Sequence, residues 1–327
     1  MRIVSIGTAT ADIYLRSRSF KILKDPHFTF KKGFPEKLAE CFPFGAKLEV
    51  EQVDYELGGG GLNTAATFKK NNLDQLAVVK LGRDFFGRFI QDQISAKKIK
   101  TDLKHSRALS SFSVVLLSTG GERTILVYRS PADVFKLADL PVARPGDYFY
   151  IGPGATPLTV WSKYLLKLKK AGTVVAINPS APFLKSKQAW AILNLTDLIF
   201  LNQEEAEMLI GQKLDERQLI KRLRQRLIRP QIIVLTLAER GVIAADQEKI
   251  YSSPGFKISR PADKTGAGDA FASAFYSSYI RTESAVESIR RGCANAASVI
   301  QIPGAQNGIL SLNDYKKPTW QKIKILS

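Results

Sequence analysis

YFYIGPGATPLTVWSKYLLKLKKAGTVVAI, residues 148–177, is the stretch that decides the fold. Its ends, Tyr148–Ile151 and Thr173–Ile177, are short apolar runs, and Pro157–Lys170 between them reads as helical. The same alternation continues in both directions. Upstream, Arg2–Ile6 is a buried strand ending at Gly7, Gly61–Asn71 is helical, Leu76–Leu81 is a strand and Asp84–Lys98 is helical again. Downstream, Leu198–Leu201 and Gln231–Leu237 are strands, with helical stretches at Ser186–Asn194, Gln203–Ile210 and Asp215–Leu227. Apolar strands alternating with helices make a mostly parallel sheet covered by helices on both faces. The expected class is α/β.

Two regions break this alternation. Lys47–Glu56 (KLEVEQVDYE), at the end of the long excursion Leu15–Glu56, alternates apolar and polar residues as a half-exposed strand does. Phe112–Tyr128 reads as two strands, FSVVLLS and RTILVY, around a turn at Ser118-Thr119-Gly120-Gly121. Half-exposed strands do not belong inside a doubly covered sheet, so a small separate sheet is expected to project from the main one. The excursion also holds Phe20, Phe28, Phe30, Phe34, Phe42 and Phe44, which argue against disorder. Packing, a subunit contact and stacking on a substrate ring all remain open for these aromatics.

Composition narrows the classes. With 45% hydrophobic and 24% charged residues over 327 positions, neither wholesale disorder nor a fibrous architecture fits. Cys41 and Cys293 are the only cysteines and His27 and His105 the only histidines, which excludes a disulfide framework, a Cys-rich zinc site and a multi-histidine metal site. The opening MRIVSIGTATADIYLR reads as a strand and its loop instead of a signal peptide, and no apolar run approaches the ~18 residues of a membrane span. A cytoplasmic location and no membrane partner are expected. The net charge of +18 attracts anions. Its densest cluster, Lys221–Arg229, has Leu219, Ile220, Leu223 and Leu227 at helical spacing, so the charges form the solvent face of an amphipathic helix. No aromatic-interleaved RNA signature accompanies the charge, so nucleic acid is not the expected partner; a non-catalytic nucleic-acid-binding protein stands as the alternative from a different class.

Two glycine-rich motifs carry the chemistry. Gly58-Gly59-Gly60-Gly61-Leu62-Asn63 joins a strand to a helix, where missing Cβ atoms allow close backbone approach and Asn63 offers a donor and an acceptor to hydroxyls. It is not a dinucleotide fingerprint, which disfavours an oxidoreductase, and no Walker P-loop occurs. Asp263-Lys264-Thr265-Gly266-Ala267-Gly268-Asp269 opens an apolar helix. Gly266, Ala267 and Gly268 present backbone N–H groups at a helix N-terminus, where the dipole favours an anion. Asp269 in the first turn reads either as a helix cap or as a group acting beside that anion. The dipole is expected to keep its carboxylate ionised at neutral pH.

Together these motifs resemble the PfkB, or ribokinase-like, carbohydrate kinases. The resemblance spans nearly the whole chain, in order. It includes the glycine run with Asn63, KLGRDFFG with Gly82 and Gly87, Asn202-Gln203-Glu204-Glu205 like the family's Asn-x-x-Glu element, and Thr236-Leu237-Ala238-Glu239-Arg240-Gly241 like its ATP-side loop. Gly120-Gly121-Glu122-Arg123-Thr124 sits where the family often carries a lid hairpin, Asp12 resembles its substrate-binding aspartate, and Asn295 lies in a helix like one flanking the adenine. Ala238 stands where relatives often have Gly, and Lys264 where they have Thr.

The resemblance implies one ribokinase-like domain over 1–327 with a small β-sheet lid from segments about 13–56 and 110–130. It implies transfer of the ATP γ-phosphoryl group to a hydroxyl of a ribose- or fructose-type sugar, with Asp269 as general base and Gly266, Ala267 and Gly268 as the anion hole. Asp12, Gly59, Gly60 and Asn63 would hold the acceptor, and Asn202, Thr236, Gly241 and Asn295 would flank ATP. Glu205 would organise the waters of Mg²⁺, and Asp263 and Thr265 match an element at which many relatives bind a monovalent cation such as K⁺. A nucleoside is one alternative acceptor. Arg129, after the hairpin strand, points to another, a sugar acid of the 2-keto-3-deoxygluconate type, although a solvent-facing lid arginine accounts for it equally well. A homodimer through the lid is the expected assembly.

Overall fold

The computed structural model describes residues 1–27, 37–118 and 123–326. The chain begins with β1 (Arg2–Ile6), leaves the main sheet for β2 (Thr10–Arg16), β3 (Lys21–Lys24), β4 (Leu38–Cys41) and β5 (Gln52–Gly58), and returns through α1 (Gly60–Lys70) and β6 (Asp74–Gly82). There follow α2 (Phe85–Ala96), β7 (Thr101–Ser106), β8 (Phe112–Leu117), β9 (Arg123–Tyr128) and β10 (Tyr148–Ile151). Next come α3 (Leu158–Lys170), β11 (Val174–Ile177), α4 (Ala181–Leu184), α5 (Ala189–Leu193), β12 (Leu198–Asn202), α6 (Gln203–Ile210), α7 (Glu216–Arg226) and β13 (Ile232–Thr236). The chain ends with β14 (Val242–Ala245), β15 (Ile250–Ser253), α8 (Ala267–Thr282), α9 (Ala285–Val299) and α10 (Pro318–Gln321).

Nine strands form the main sheet in the order β15-β14-β13-β12-β11-β10-β1-β6-β7. Every pair is parallel except β13–β14 and β14–β15. Its strands are buried on both faces because successive residues serve opposite cores. Val4, Ile6, Phe149 and Ile151 pack with Trp161, Leu165 and Leu219 on one face. Ile3 and Tyr150 pack with Phe68, Phe271, Phe275 and Tyr276 on the other. This is the doubly covered α/β sheet that residues 148–177 imply. In α7, Leu219, Ile220 and Leu223 are buried, so its lysines and arginines do form a solvent face.

The half-exposed segments assemble apart from this sheet. β5-β2-β8-β9 is a four-stranded sheet in which β2–β5 and β8–β9 are antiparallel and β2–β8 parallel; β3 and β4 pair with each other. Phe20 is buried and meets Phe42 edge-on at 5.7 Å, while Phe44 is fully exposed. Phe28, Phe30 and Phe34, and the turn at Thr119-Gly120-Gly121-Glu122, lie outside the described residues. No helix among the described residues is long and apolar enough to cross a membrane.

Candidate active site

The two sheets meet where β1 hands over to β2 and where β5 returns to α1. The glycine run is that return, and it is strapped to the loop after β1: Gly61 N donates to Thr8 O at 3.0 Å and Gly60 N to Thr8 Oγ1 at 3.2 Å. A side chain at Gly58, Gly59 or Gly61 would collide. A Cβ on Gly58 would stand 2.0 Å from Oδ2 of Asp12, and Gly59, at φ +91°, would place one 2.5 Å from Thr8 O. The position of a Cβ on Gly60 is 3.5 Å from Oδ1 of Asp269. The run is a thin wall between two carboxylates.

Asp269 stands on α8, whose N-cap is Gly266 in the left-handed region at φ +73°. The aspartate does not cap its helix. Its Oδ2 accepts a 2.9 Å hydrogen bond from Nδ2 of Asn63, and Oδ1 of Asn63 in turn accepts from Nε2 of Gln306 at 3.3 Å. Burial pushes the Asp269 carboxyl above its ordinary value, and the bond from Asn63 holds it partly back. Desolvation thus works against the anion that the helix dipole favours at this N-terminus. The first helical backbone bond runs from Ala270 N to Gly266 O at 2.8 Å, and Ala267 N reaches Lys264 O at 3.4 Å. The N–H groups of Gly268 and Asp269 lie between these two donors and keep their donor capacity. The Cβ position of Gly268 meets nothing within 4 Å, so there is room beside those donors.

Asp12 lies on β2 across the wall. Its Oδ1 accepts from Ser113 Oγ at 2.7 Å and from Thr10 Oγ1 at 3.2 Å, and burial raises its carboxyl against those two bonds. Its Oδ2 is the atom that the bare Cα of Gly58 accommodates.

Asp263, before α8, is saturated. Oδ1 accepts from the Arg123 guanidinium, from Thr265 N at 2.8 Å and from Thr265 Oγ1 at 2.7 Å. Oδ2 accepts from Tyr14 Oη at 2.7 Å and Gly304 N at 3.2 Å. Burial works to raise this carboxyl, but the bonds from Thr265, Tyr14 and Gly304 outweigh it and hold the group below its ordinary value.

Asn202 ends β12 and pairs in register with Thr236 at the end of β13. Asn202 and Glu205 form a reciprocal capping box: Glu205 N donates to Asn202 Oδ1 and Asn202 N to Glu205 Oε2, both at 2.8 Å. The Asn-x-x-Glu spacing thus has a local structural cause. Burial pushes the Glu205 carboxyl up, and the charges of Glu204 and Asp269 add to the shift. Gly241 sits at φ +102°, with a would-be Cβ 2.1 Å from Ser253 O, and Ala238 adopts φ +52°, a region where glycine is easier.

Of the remaining expected ligand residues, Asn295 is turned into the core and Arg129 out to solvent. Asn295 is fully buried, with Nδ2 donating to Ala270 O at 2.9 Å and Oδ1 accepting from Leu310 N at 2.9 Å. Nδ2 braces α9 against α8 and Oδ1 holds the segment after α9, so both ends of the amide are engaged within the core. Arg129 is exposed after β9, with the charge of Asp133 nearby. Gly82 and Gly87 pack the turn between β6 and α2, where a Cβ on Gly87 would meet Gly82 O at 2.2 Å.

Residues 32–312 match the pfkB family of carbohydrate kinases. The chain belongs to that family. It is an ATP-dependent sugar kinase, a phosphotransferase with a hydroxyl group as acceptor. Its pfkB relatives include ribokinase of Staphylococcus aureus, 25% identical over 83% of this chain and 90% of the relative. A 2-dehydro-3-deoxygluconokinase of Dickeya dadantii is 27% identical over 82% of this chain and 94% of the relative. The fold is that of phosphofructokinase-2 from Escherichia coli in complex with potassium, at a TM-score of 0.75, 15% identity and coverage of 98% and 97%.

Within this pfkB chain, Tyr14, Arg123 and Gly304 bond to Asp263 and Gln306 bonds to Asn63, contacts that local sequence patterns do not reveal. Arg123 is visible in the sequence as part of Glu122-Arg123-Thr124, but its partner lies 140 positions away. No spacing signal connects the two.

Proposed function

We propose that the acceptor is a small sugar of the ribose or fructose type, and that Asp269 takes the proton from its attacking hydroxyl. One observation supports this reading above the others: a half-buried carboxylate that does not cap its own helix is held by Asn63 beside the glycine wall and the free N–H groups of α8. Asp12, on the other side of that wall, is suited to accept hydrogen bonds from the acceptor's remaining hydroxyls. The amides of Gly268 and Asp269 would receive negative charge on the transferring phosphoryl group. Asn202, Thr236 and Gly241, near the carboxyl ends of adjacent strands, would line the ATP side.

Mg²⁺ is implied by phosphoryl transfer. Among the described residues no cluster of three or more His, Cys, Asp or Glu side chains forms a metal cage. Glu205 nevertheless fits a water-mediated role, because burial raises its carboxyl, the charges of Glu204 and Asp269 add to that rise, and a cation would relieve the repulsion. Bound there, Mg²⁺ would neutralise charge on the phosphates. We also read the four-stranded sheet as a lid that excludes water from the acceptor, and as the contact between two copies of the chain. β9 supports the latter, exposing Ile125, Leu126, Val127 and Tyr128 in a row on an edge strand. ATP as donor supports a cytoplasmic location.

A coupled ADP-release screen over sugars, sugar acids and nucleosides tests the acceptor. Turnover confined to 2-keto sugar acids would move the assignment to the class of the Dickeya relative, and turnover confined to nucleosides would reject a free sugar.

A further inference from the structure

A monovalent cation at Asp263 is the expectation that the geometry does not fit. The Asp263 side chain is 1% exposed, and its oxygens already accept from Arg123, Thr265 N, Thr265 Oγ1, Tyr14 and Gly304 N. A carboxylate offers about four lone-pair sites, so none is left for a metal ion. Nor is the charge free, because the guanidinium of Arg123 already stands against it.

We propose that Arg123 is a built-in replacement for the monovalent cation, so that this kinase has no K⁺ requirement. Asp263 leads directly into Thr265 and Gly266 and hence into the first turn of α8. A countercharge on it holds that turn in place and offsets the cost of burying the carboxylate. Potassium from solvent can do this only when it is bound; an arginine is charged at every accessible pH. Arg123 also opens β9, so the same ion pair ties an edge strand of the small sheet to the start of α8. Arg123 is here a positioning residue. It acts through Asp263 on the N–H groups of Gly268 and Asp269, a role that rests on the reading of this turn as the phosphoryl site.

The test is thermal unfolding of the full chain without substrate, in KCl, NaCl and tetramethylammonium chloride at equal ionic strength. Anything that binds only the folded state raises Tm in a saturable way. Wild type is expected to show the same Tm in all three salts, and the same ATP turnover. A saturable, K⁺-selective rise in its Tm, or K⁺ activation of about tenfold, within the usual range for a coupled ligand, overturns the proposal. Arg123→Ala leaves Asp263 buried without a countercharge and is expected to acquire the K⁺-selective rise. A stable Arg123→Ala protein that ignores K⁺ also counts against replacement. If that variant unfolds, Arg123→Lys restores a charge and is expected to fold and stay indifferent to K⁺; a K⁺-selective Tm rise in it has the opposite meaning. The Tm arms need no acceptor, so a failed assignment of Asp269 or of the sugar leaves them decisive.

Discussion

Asn63 and Asp269 lie 206 positions apart, and Nδ2 of one donates to Oδ2 of the other at 2.9 Å. The bond pins the carboxylate across the helix entrance instead of letting it fold back as a cap. Asp269→Asn keeps the volume but cannot accept a proton. We expect kcat to fall by roughly 10²–10⁴, the usual scale for losing a general base, with ATP affinity and Tm little changed. Near-normal kcat in a folded variant would remove Asp269 from proton transfer.

The same bond makes a pH prediction. Burial raises the Asp269 carboxyl, and the base works only when deprotonated, so the rate should fall as pH drops, at a pH above where an unperturbed aspartate would titrate. Asn63 opposes that rise. Asn63→Ala should therefore move the acid limb of the kcat profile to higher pH as well as lower kcat. An unmoved limb with a raised KM for the sugar would make Asn63 an acceptor ligand only.

Glu205→Gln separates charge from capping. A glutamine oxygen can still accept from Asn202 N, so the capping box survives and α6 should stay folded. The lost charge should raise the Mg²⁺ concentration needed for half-maximal rate and lower kcat, while ATP still binds. Superimposable Mg²⁺ titrations for wild type and variant would leave Glu205 a helix cap.

Periodicity made much of the main sheet legible because buried parallel strands carry a dense local signal: β10, β11, β12 and β13 stand within a residue or so of their apolar runs. β7 (TDLKHS) escaped, being a polar edge strand with no buried residue. β14 and β15 escaped because their turn brings an antiparallel hairpin into an otherwise parallel pattern. In the site, the glycines and Asp269 were readable as motifs, since an anion-binding turn needs contiguous residues. The pairings Asn63–Asp269 and Arg123–Asp263 were not readable. They depend on where the two sheets meet, which no local window contains.

The exposed row on β9 makes the assembly testable. Leu126 is 56% exposed in the middle of that edge. Leu126→Lys should convert a dimer to a monomer in sedimentation equilibrium, with Tm of the monomer changed little, because the position contributes nothing to either core. A wild-type chain that sediments as a monomer at every concentration removes the lid–lid contact outright.

Asp133 links pH to stability at the other end of β9. It sits on a short 3₁₀ turn, Pro131–Asp133, with Oδ2 accepting from Ser111 Oγ at 2.5 Å and Oδ1 buried without a partner among the described residues. Burial pushes its carboxyl up to about 6, against the bond from Ser111 and the charge of Arg129. The unfolded chain titrates near 3.8, so between these values the folded protein binds more protons. Its contribution is therefore favourable at acid pH and is lost as pH rises through about 6. At about 1.4 kcal/mol per pH unit, the ionised form costs the fold at most about 3 kcal/mol. Asp133→Asn abolishes that ionisation. The variant should gain Tm relative to wild type at pH above about 7, and the difference should shrink toward pH 4 as the wild-type carboxyl takes up its proton. Other carboxyls titrate in both proteins and cancel in the difference. A variant that loses stability at high pH would show instead that the Asp133 charge is paired favourably with Arg129, which would tie that arginine to the fold and away from an acidic acceptor.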